Sequence, residues 1–579
     1  MKKFGSILKF KLIPLIFALV VGLISVLPQF FLLLRAGSGY QGIVYSDSND
    51  DYSYLARMRE ITEGHWLVGS PYFFEYKNIF PVHLPWGEYF YALPVMVFHI
   101  SLTGFLLFSK FLFPAVLFLL IFYLIIKLSE DSDSFSSRLN AIAGAMLVTL
   151  GYDFVDFKYA LNIFLGRAEL FHPLIWTRPV NPITGALMLF LVIILTWRLI
   201  NYPKYRYAAA IGVLTSLMLA YVFSWGLAVA IVGLLLLFFL GRKNLKVAFC
   251  LFLSLALSGL LTLPYWWQMV FLGRSGSLGR NGMYFTHALI GNKFIIVCLV
   301  LFSVIMALQY YQLKKVGGQM KLWWFFCLTL LLGSLAAFNQ QIITGRTIWP
   351  GHFVQYTIPL GLVVFAVVMN NWLKPNFKYL WAICLTAIFI ATFFFGLLSA
   401  LSYDKILPAF LQIQKKSELL NWLAINVAGD CVVLTDNEKM QFIIPAYSQC
   451  DDYYSIWTFA GVPKDRILHN YFSYLQIKNI KPATVRDYLS ANKFEIIMLY
   501  FSNWDQMFGR VDTNWLTEKM EMTAQQYEEF YRRDFYQAIK SYRINYVLTD
   551  DQLDEEILNK LHQPQLAGEF DGLYLYFVP

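Results

Sequence analysis

Eleven apolar stretches recur along the chain, at 12–34, 108–126, 139–152, 184–200, 207–222, 225–240, 247–263, 294–310, 322–338, 354–371 and 379–401. Crossing a bilayer as a helix takes about 20 mainly apolar residues, so this repetition predicts a polytopic helical membrane body. The stretches 139–152 and 207–222 are short for spans. A further apolar segment, 89–105, is interrupted by Pro94 and His99 and predicts a re-entrant or interfacial helix. Beyond residue 401 the pattern changes to helix-like and strand-like segments in alternation. Glu418–Val427 has helical spacing, Cys431–Asp436 reads as a strand, and Lys493–Phe501 reads as another. Thr523–Ser541 reads as a helix before the strands Ile544–Asp550 and Gly572–Val578. The expected architecture is a membrane all-α body, 1–401, followed by a soluble α/β domain, 402–579.

The polar connectors fall into two sets. One set is short and basic: Lys127 and Arg138; Arg198, Lys204 and Arg206; Arg242, Lys243 and Lys246; Lys314, Lys315 and Lys321; Lys374 and Lys378. By the positive-inside rule these loops are cytoplasmic. The N-terminus, with Lys2, Lys3, Lys9 and Lys11, then lies in the cytoplasm as a retained signal anchor, and the tail lies outside. The other set holds the first long outer loop, 36–107, far longer than a connector needs to be.

Composition supports the membrane assignment. Hydrophobic residues make up 58% of the chain and charged residues 14%, an excess of apolar surface that only lipid can cover. The charge is divided: residues 402–579 hold 17 Lys and Arg against 24 Asp and Glu, and the rest hold 29 against 13. The overall +9 is therefore a topology signal and gives no indication of nucleic acid. Cys431 and Cys450 both fall in the tail, where an extracytoplasmic location would permit a disulfide; spacing alone leaves their pairing open.

The candidate chemistry sits on the outer side. Asp47, Asp50 and Asp51 lead into the run Asn49–Trp66. A carboxylate here can deprotonate an acceptor hydroxyl, or hold a divalent cation against a diphosphate; Asp50 or Asp51 can equally cap a helix starting near Tyr52. Asp50 and Asp51 are the catalytic candidates. Asp51, Asp153 and Asp156 are the candidate metal ligands. The outer loops also contain eight arginines, where topology favours few. Arginine is a planar fork suited to phosphate or carboxylate. Tyr54, Arg57, Arg59, Arg167, Arg178, Asn181, Arg346 and His352 are the candidate substrate- and phosphate-binding residues, with Arg346 the expected phosphate clamp. Arg178 opens an Arg-Pro-x-Asn-Pro run, a rigid non-helical entry to the next span. Gly273–Gly282 has the composition of a mobile loop, and Glu169 and His172 add polar groups to the segment before the fourth span.

The D-D-x-x-Y…R-E pattern at Asp50, Asp51, Tyr54, Arg59 and Glu60 resembles the acidic first-loop motif of the GT-C superfamily of integral-membrane glycosyltransferases, in its lipid-linked-sugar branch. The long first outer loop and the soluble domain after the last span share in the likeness. The resemblance implies about 11 transmembrane helices, a polyprenyl-phosphate-linked sugar donor, an extracytoplasmic acceptor (a glycan, lipid or protein) and Asp50 in the place of the catalytic carboxylate. It leaves a divalent cation, Mg or Mn, as a candidate cofactor. The W-W-D-x-G signature of oligosaccharyltransferases is absent: Trp266-Trp267 is followed by Gln268, and Trp504-Asp505 lacks the second Trp. The rival functions are a membrane polysaccharide polymerase or ligase, and a lipid-glycan transporter or flippase. A transporter would place charge near the midplane and often carry paired repeats; here the ionisable groups crowd one surface and no repeat is visible.

Overall fold

The computed structural model describes residues 2–46, 48–167, 174–274, 283–456, 461–501 and 511–579. Asp47, Glu169, His172, Trp504, Asp505 and most of the Gly273–Gly282 loop lie outside the described residues. Among the described residues, nine helices are long and apolar enough to cross a membrane. They run from the first, Lys2–Ala36, to the last, Lys378–Leu401. Most are apolar on every side, as helices must be when one face packs against protein and the other meets lipid. The two short stretches also fold as helices, Phe135–Thr149 and Tyr205–Leu217, packed among the longer ones. At the end of the body that carries the basic loops, Lys321 and Trp323 bind Glu130, and Lys374 lies 3.8 Å from Asp131.

The interrupted segment near residue 94 divides in two. A 13-residue helix, Trp86–Phe98, ends at His99, whose positive φ breaks the helical path. Ser101 then caps the span Leu102–Leu128 by accepting from the Gly104 amide. Thirteen residues are too few to cross hydrocarbon, in keeping with an interfacial helix. A second loop helix, Asn49–Thr62, starts three residues before the expected position, with Ser48 as its N-cap residue. On the same face a small ribbon pairs β1 (Met283–Phe285) with β2 (Arg346–Ile348), antiparallel.

The tail is α/β. Its sheet contains β3 (Cys431–Thr435), β4 (Cys450–Asp452), β5 (Tyr546–Thr549), β6 (Gln565–Phe570) and β7 (Leu573–Phe577), in the order β4-β3-β5-β7-β6. The β4-β3-β5 half is parallel and the β5-β7-β6 half antiparallel. Cys431 and Cys450 stand opposite one another in β3 and β4 and form a disulfide. Two expectations fail. Lys493–Phe501 is a helix, Lys493–Tyr500, because a short apolar run has no period that separates a buried helix from a strand. The expected helix Thr523–Ser541 begins instead at Thr513, capped by Asp512, and breaks after Tyr531; Asp534 caps a separate short helix, Phe535–Ile539.

The long loop 36–107 is built into the tail. Lys77, with its side chain 2% exposed, reaches Glu60 at 3.2 Å in the loop helix, and Asp451 at 3.1 Å and Asp430 at 3.8 Å in the tail. Burial opposes the ammonium charge, but the surrounding carboxylates prevail and raise its pKa. Burial pushes the Asp451 and Glu60 carboxyls upward, partly offset by Lys77. Nearby, Arg466 lies 3.2 Å from Glu75 with its guanidinium over the Tyr542 ring. The Asp452 amide donates to the Tyr72 carbonyl at 2.8 Å, so the seam is also hydrogen-bonded through backbone.

Removing one partner of a buried ion pair strands the others and costs about 3–5 kcal/mol. Lys77→Met is therefore expected to lower the thermal denaturation midpoint of the full chain and to speed proteolysis at the seam. An unchanged midpoint would show that Lys77 holds nothing together. Asp452 generates a second expectation. Its carboxyl is buried, neither oxygen accepts a hydrogen bond among the described residues, and burial and then Asp451 raise its pKa well above 3.8. Its contribution is full below the unfolded value and is lost as pH rises through the raised folded value. Asp452→Asn mimics the neutral acid. As pH rises from about 4 through the raised folded value, the midpoint should fall more steeply in the parent than in this variant; parallel profiles would refute the assignment.

Candidate active site

The two aspartates sit in the first turn of helix Asn49–Thr62, where the unpaired amides and the helix dipole favour negative charge. They diverge in environment. The Asp50 side chain is 68% exposed, whereas that of Asp51 is 7% exposed. Burial raises the pKa of Asp51, and Lys110, Arg178 and a hydrogen bond from Ser46 oppose that rise. Tyr54 lies about one turn further on, so it faces the same side as the aspartates. Its hydroxyl is pushed upward in pKa by burial and by the charges of Asp50 and Glu88.

The counter-charge comes from the segment before the span Ile183–Asn201. Arg178 extends one guanidinium over both acids: Nη2 lies 3.4 Å from Asp50 Oδ2, and Nε 3.6 Å from Asp51 Oδ1. Nη2 also donates to Ser48 Oγ at 3.2 Å. Burial opposes its charge, but Asp51, Tyr54 and Asp50 together raise its pKa. The segment is tightly held. Trp176 donates to the Val148 carbonyl at 2.8 Å, Lys110 Nζ donates to the Thr177 carbonyl at 3.1 Å, and the Val180 amide donates to the Tyr91 hydroxyl at 3.1 Å. Val180 has φ of 58°, a left-handed conformation costly for a β-branched residue and stable only where the surroundings fix it.

A polar wall of side chains completes the site. The Asn181 amide faces the hydroxyls of Tyr54 and Tyr221, and its Oδ1 is buried without a hydrogen-bond partner among the described residues. Tyr221 bonds His352 Nδ1, and His352 lies within electrostatic reach of Asp50 and Arg178. Tyr356 donates to the Pro182 carbonyl at 3.2 Å. Six sequence candidates thus converge: Asp50, Asp51, Tyr54, Arg178, Asn181 and His352. Lys110, Tyr221, Tyr356 and Ser48 join them.

The other candidates have separate roles. Arg57 binds Glu88 and donates to the His83 carbonyl at 2.7 Å, so it ties the two loop helices together. Arg59 pairs with Glu63 one turn along its own helix, at 2.6 Å. Arg167 is exposed, with its backbone amide bonded to Asn162. Arg346 is exposed on β2, its guanidinium over Phe285 of β1, and among the described residues no ion pair joins it to Asp50 or Asp51. The proposed metal set is not assembled. Asp156 caps the helix Phe157–Phe164 by accepting from the Tyr159 amide at 3.1 Å, and Asp51 is committed to Arg178. Among the described residues no three His, Cys, Asp or Glu side chains group as a cation site. A hard divalent cation held here by one or two carboxylates would have to draw its remaining oxygen ligands from water or substrate.

No family model and no curated protein matches the chain. Among solved structures, the archaeal oligosaccharyltransferase AglB from Archaeoglobus fulgidus, in complex with an inhibitory peptide and a dolichol-phosphate, is similar over 93% of this chain and 69% of its own. The identity is 12% and the TM-score 0.44. The Archaeoglobus fulgidus oligosaccharyltransferase in complex with Zn and sulfate is similar over 92% and 68%, at 13% identity and a TM-score of 0.43. The same enzyme tethered to an acceptor peptide gives 12% and 0.44. A likeness this distant carries no argument about function, which rests on the geometry of the site.

Proposed function

We propose that the protein is an inverting glycosyltransferase that moves a sugar from a polyprenyl-phosphate-linked donor to a hydroxyl of an extracytoplasmic glycan, lipid or protein. One observation carries this reading. A solvent-facing carboxylate, Asp50, stands beside a guanidinium, Arg178, and a wall of hydroxyl, amide and imidazole groups, at the end of a bundle of lipid-exposed helices. The donor lipid would lie against the helices, and its phosphate would meet Arg178. The acceptor oxygen bonds to sugar C1 as its proton passes to Asp50. The C1–O bond to phosphate breaks with its electron pair on the phosphate, where Arg178 stabilises the growing charge. Asp51, buried and paired, positions Arg178 and leaves the base role to its neighbour.

The basic loops at the opposite end support a cytoplasmic N-terminus and an outward tail. The Cys431–Cys450 disulfide suits the oxidising side of a membrane. A transporter is disfavoured because the ionisable cluster sits at one end of the body.

The test is sugar transfer by the purified full chain from a synthetic polyprenyl-phosphate sugar. Asp50→Asn should slow transfer roughly 10²–10⁴-fold, the usual share of a general base, with an unchanged denaturation midpoint. Full activity in Asp50→Asn would end this reading. Tyr221→Phe removes the hydroxyl that bonds His352, and should weaken binding of the donor more than it alters the midpoint, measured by titration with the donor.

A further inference from the structure

Among the described residues that meet at the site, the charges pair off. Asp50 and Asp51 contribute two negative charges, and Arg178 and Lys110 two positive ones; Glu88, close by, is matched by Arg57. One guanidinium bridges both carboxylates, at 3.4 and 3.6 Å, in the manner of a bridging metal ion. Lys110 acts electrostatically on Asp51 and is itself bonded to the carbonyl of Thr177, the residue before Arg178. Both cations are therefore fixed by the same short stretch of backbone. A divalent ion entering here would meet two cations, Arg178 and Lys110, and would compete with Arg178 for both carboxylates.

From this we infer that Arg178, backed by Lys110, is the resident cation of the site, filling the electrostatic position of a divalent metal, so that phosphate recognition needs no metal ion. The phosphate half of this statement rests on the proposed transferase function; the cation count does not. An arginine fork offers phosphate two parallel N–H groups and a charge that does not titrate away. A phosphate arriving from the lipid side would compete with Asp50 for Arg178, and the exposed Asp50 would then be released to accept the acceptor's proton.

The experiment uses the full chain in detergent. Mn2+ is titrated with electron paramagnetic resonance detection, and binding of polyprenyl phosphate is measured with and without EDTA. The expected result is no Mn2+ uptake that depends on Asp51, and equal lipid-phosphate affinity with and without chelator. Arg178→Ala should weaken that affinity about tenfold or more, with partial recovery in Arg178→Lys. Uptake of one Mn2+ per chain that disappears in Asp51→Asn overturns the inference. So does a tenfold loss of affinity on adding EDTA, or wild-type affinity in Arg178→Ala. Mn2+ uptake that survives in the double variant Asp50→Asn/Asp51→Asn lies elsewhere and leaves the inference standing. Should Arg178→Ala fail to fold, the two arms on the parent protein decide alone. If chelator-independent phosphate binding is found but no sugar moves, the transferase reading fails while the resident cation remains.

Discussion

A buried ammonium group joins the two halves of this molecule. Lys77 has almost no contact with water, and its partners come from both sides of the seam: Glu60 from the loop helix, Asp451 and Asp430 from the tail. A charge in that setting is tolerated only when its partners are held close, because desolvation costs several kcal/mol per ion. The loop helix and the tail sheet must therefore stay in register with each other. Arg466, buried against Glu75 and Tyr542, applies the same constraint a short distance away. Such pairs contribute little net stability compared with an apolar core. They discriminate strongly against arrangements that separate the partners.

That constraint extends to the chemistry. Glu60 belongs to the same helix, Asn49–Thr62, whose first turn carries Asp50 and Asp51. Tyr72, whose carbonyl accepts from Asp452 in the tail, bonds Ser53 on the same helix. The tail therefore anchors the base of the helix and, through it, the position of the aspartates relative to Arg178. On the other side Arg178 is fixed by Trp176, Lys110 and the strained Val180. Acid and guanidinium thus approach one another from two rigid supports, which is the condition for an electrostatic site to act without reorganising.

Much of this was legible in the sequence. Apolar length alone located the long spans, because a lipid-facing helix has no freedom to be polar. The interruption at Pro94 and His99 located a break, and the break falls at His99. The tail's strands at Cys431, Ile544 and Gly572 stood out through apolar and β-branched or aromatic content. The Lys493 helix did not, since tertiary packing decides such short runs. Asp50, Asp51 and Arg178 were visible because charge beside a membrane is costly and invites a reason. Arg57 and Arg59 carried the same signal for a different cause, pairing with Glu88 and Glu63. A charge on an outer loop announces that it needs a partner; it does not announce whether that partner is protein or substrate.

The members missed are those whose residue types are common at an interface. Tyr221 and Tyr356 are tyrosines at the heads of spans, indistinguishable by composition from the aromatic belt of any membrane protein. Lys110 offered a sharper signal. It lies inside an apolar run, two turns past the start of Leu102–Leu128, where a lysine must find a compensating group. An acid in the long loop 36–107 could have been sought for it, and Asp51 is such an acid. An intramembrane cation and a juxtamembrane carboxylate of unequal exposure constrain each other: the buried member of an acidic pair is the one that the cation neutralises. Asp51 is then held by cations, and Asp50 remains the exposed carboxylate of the pair.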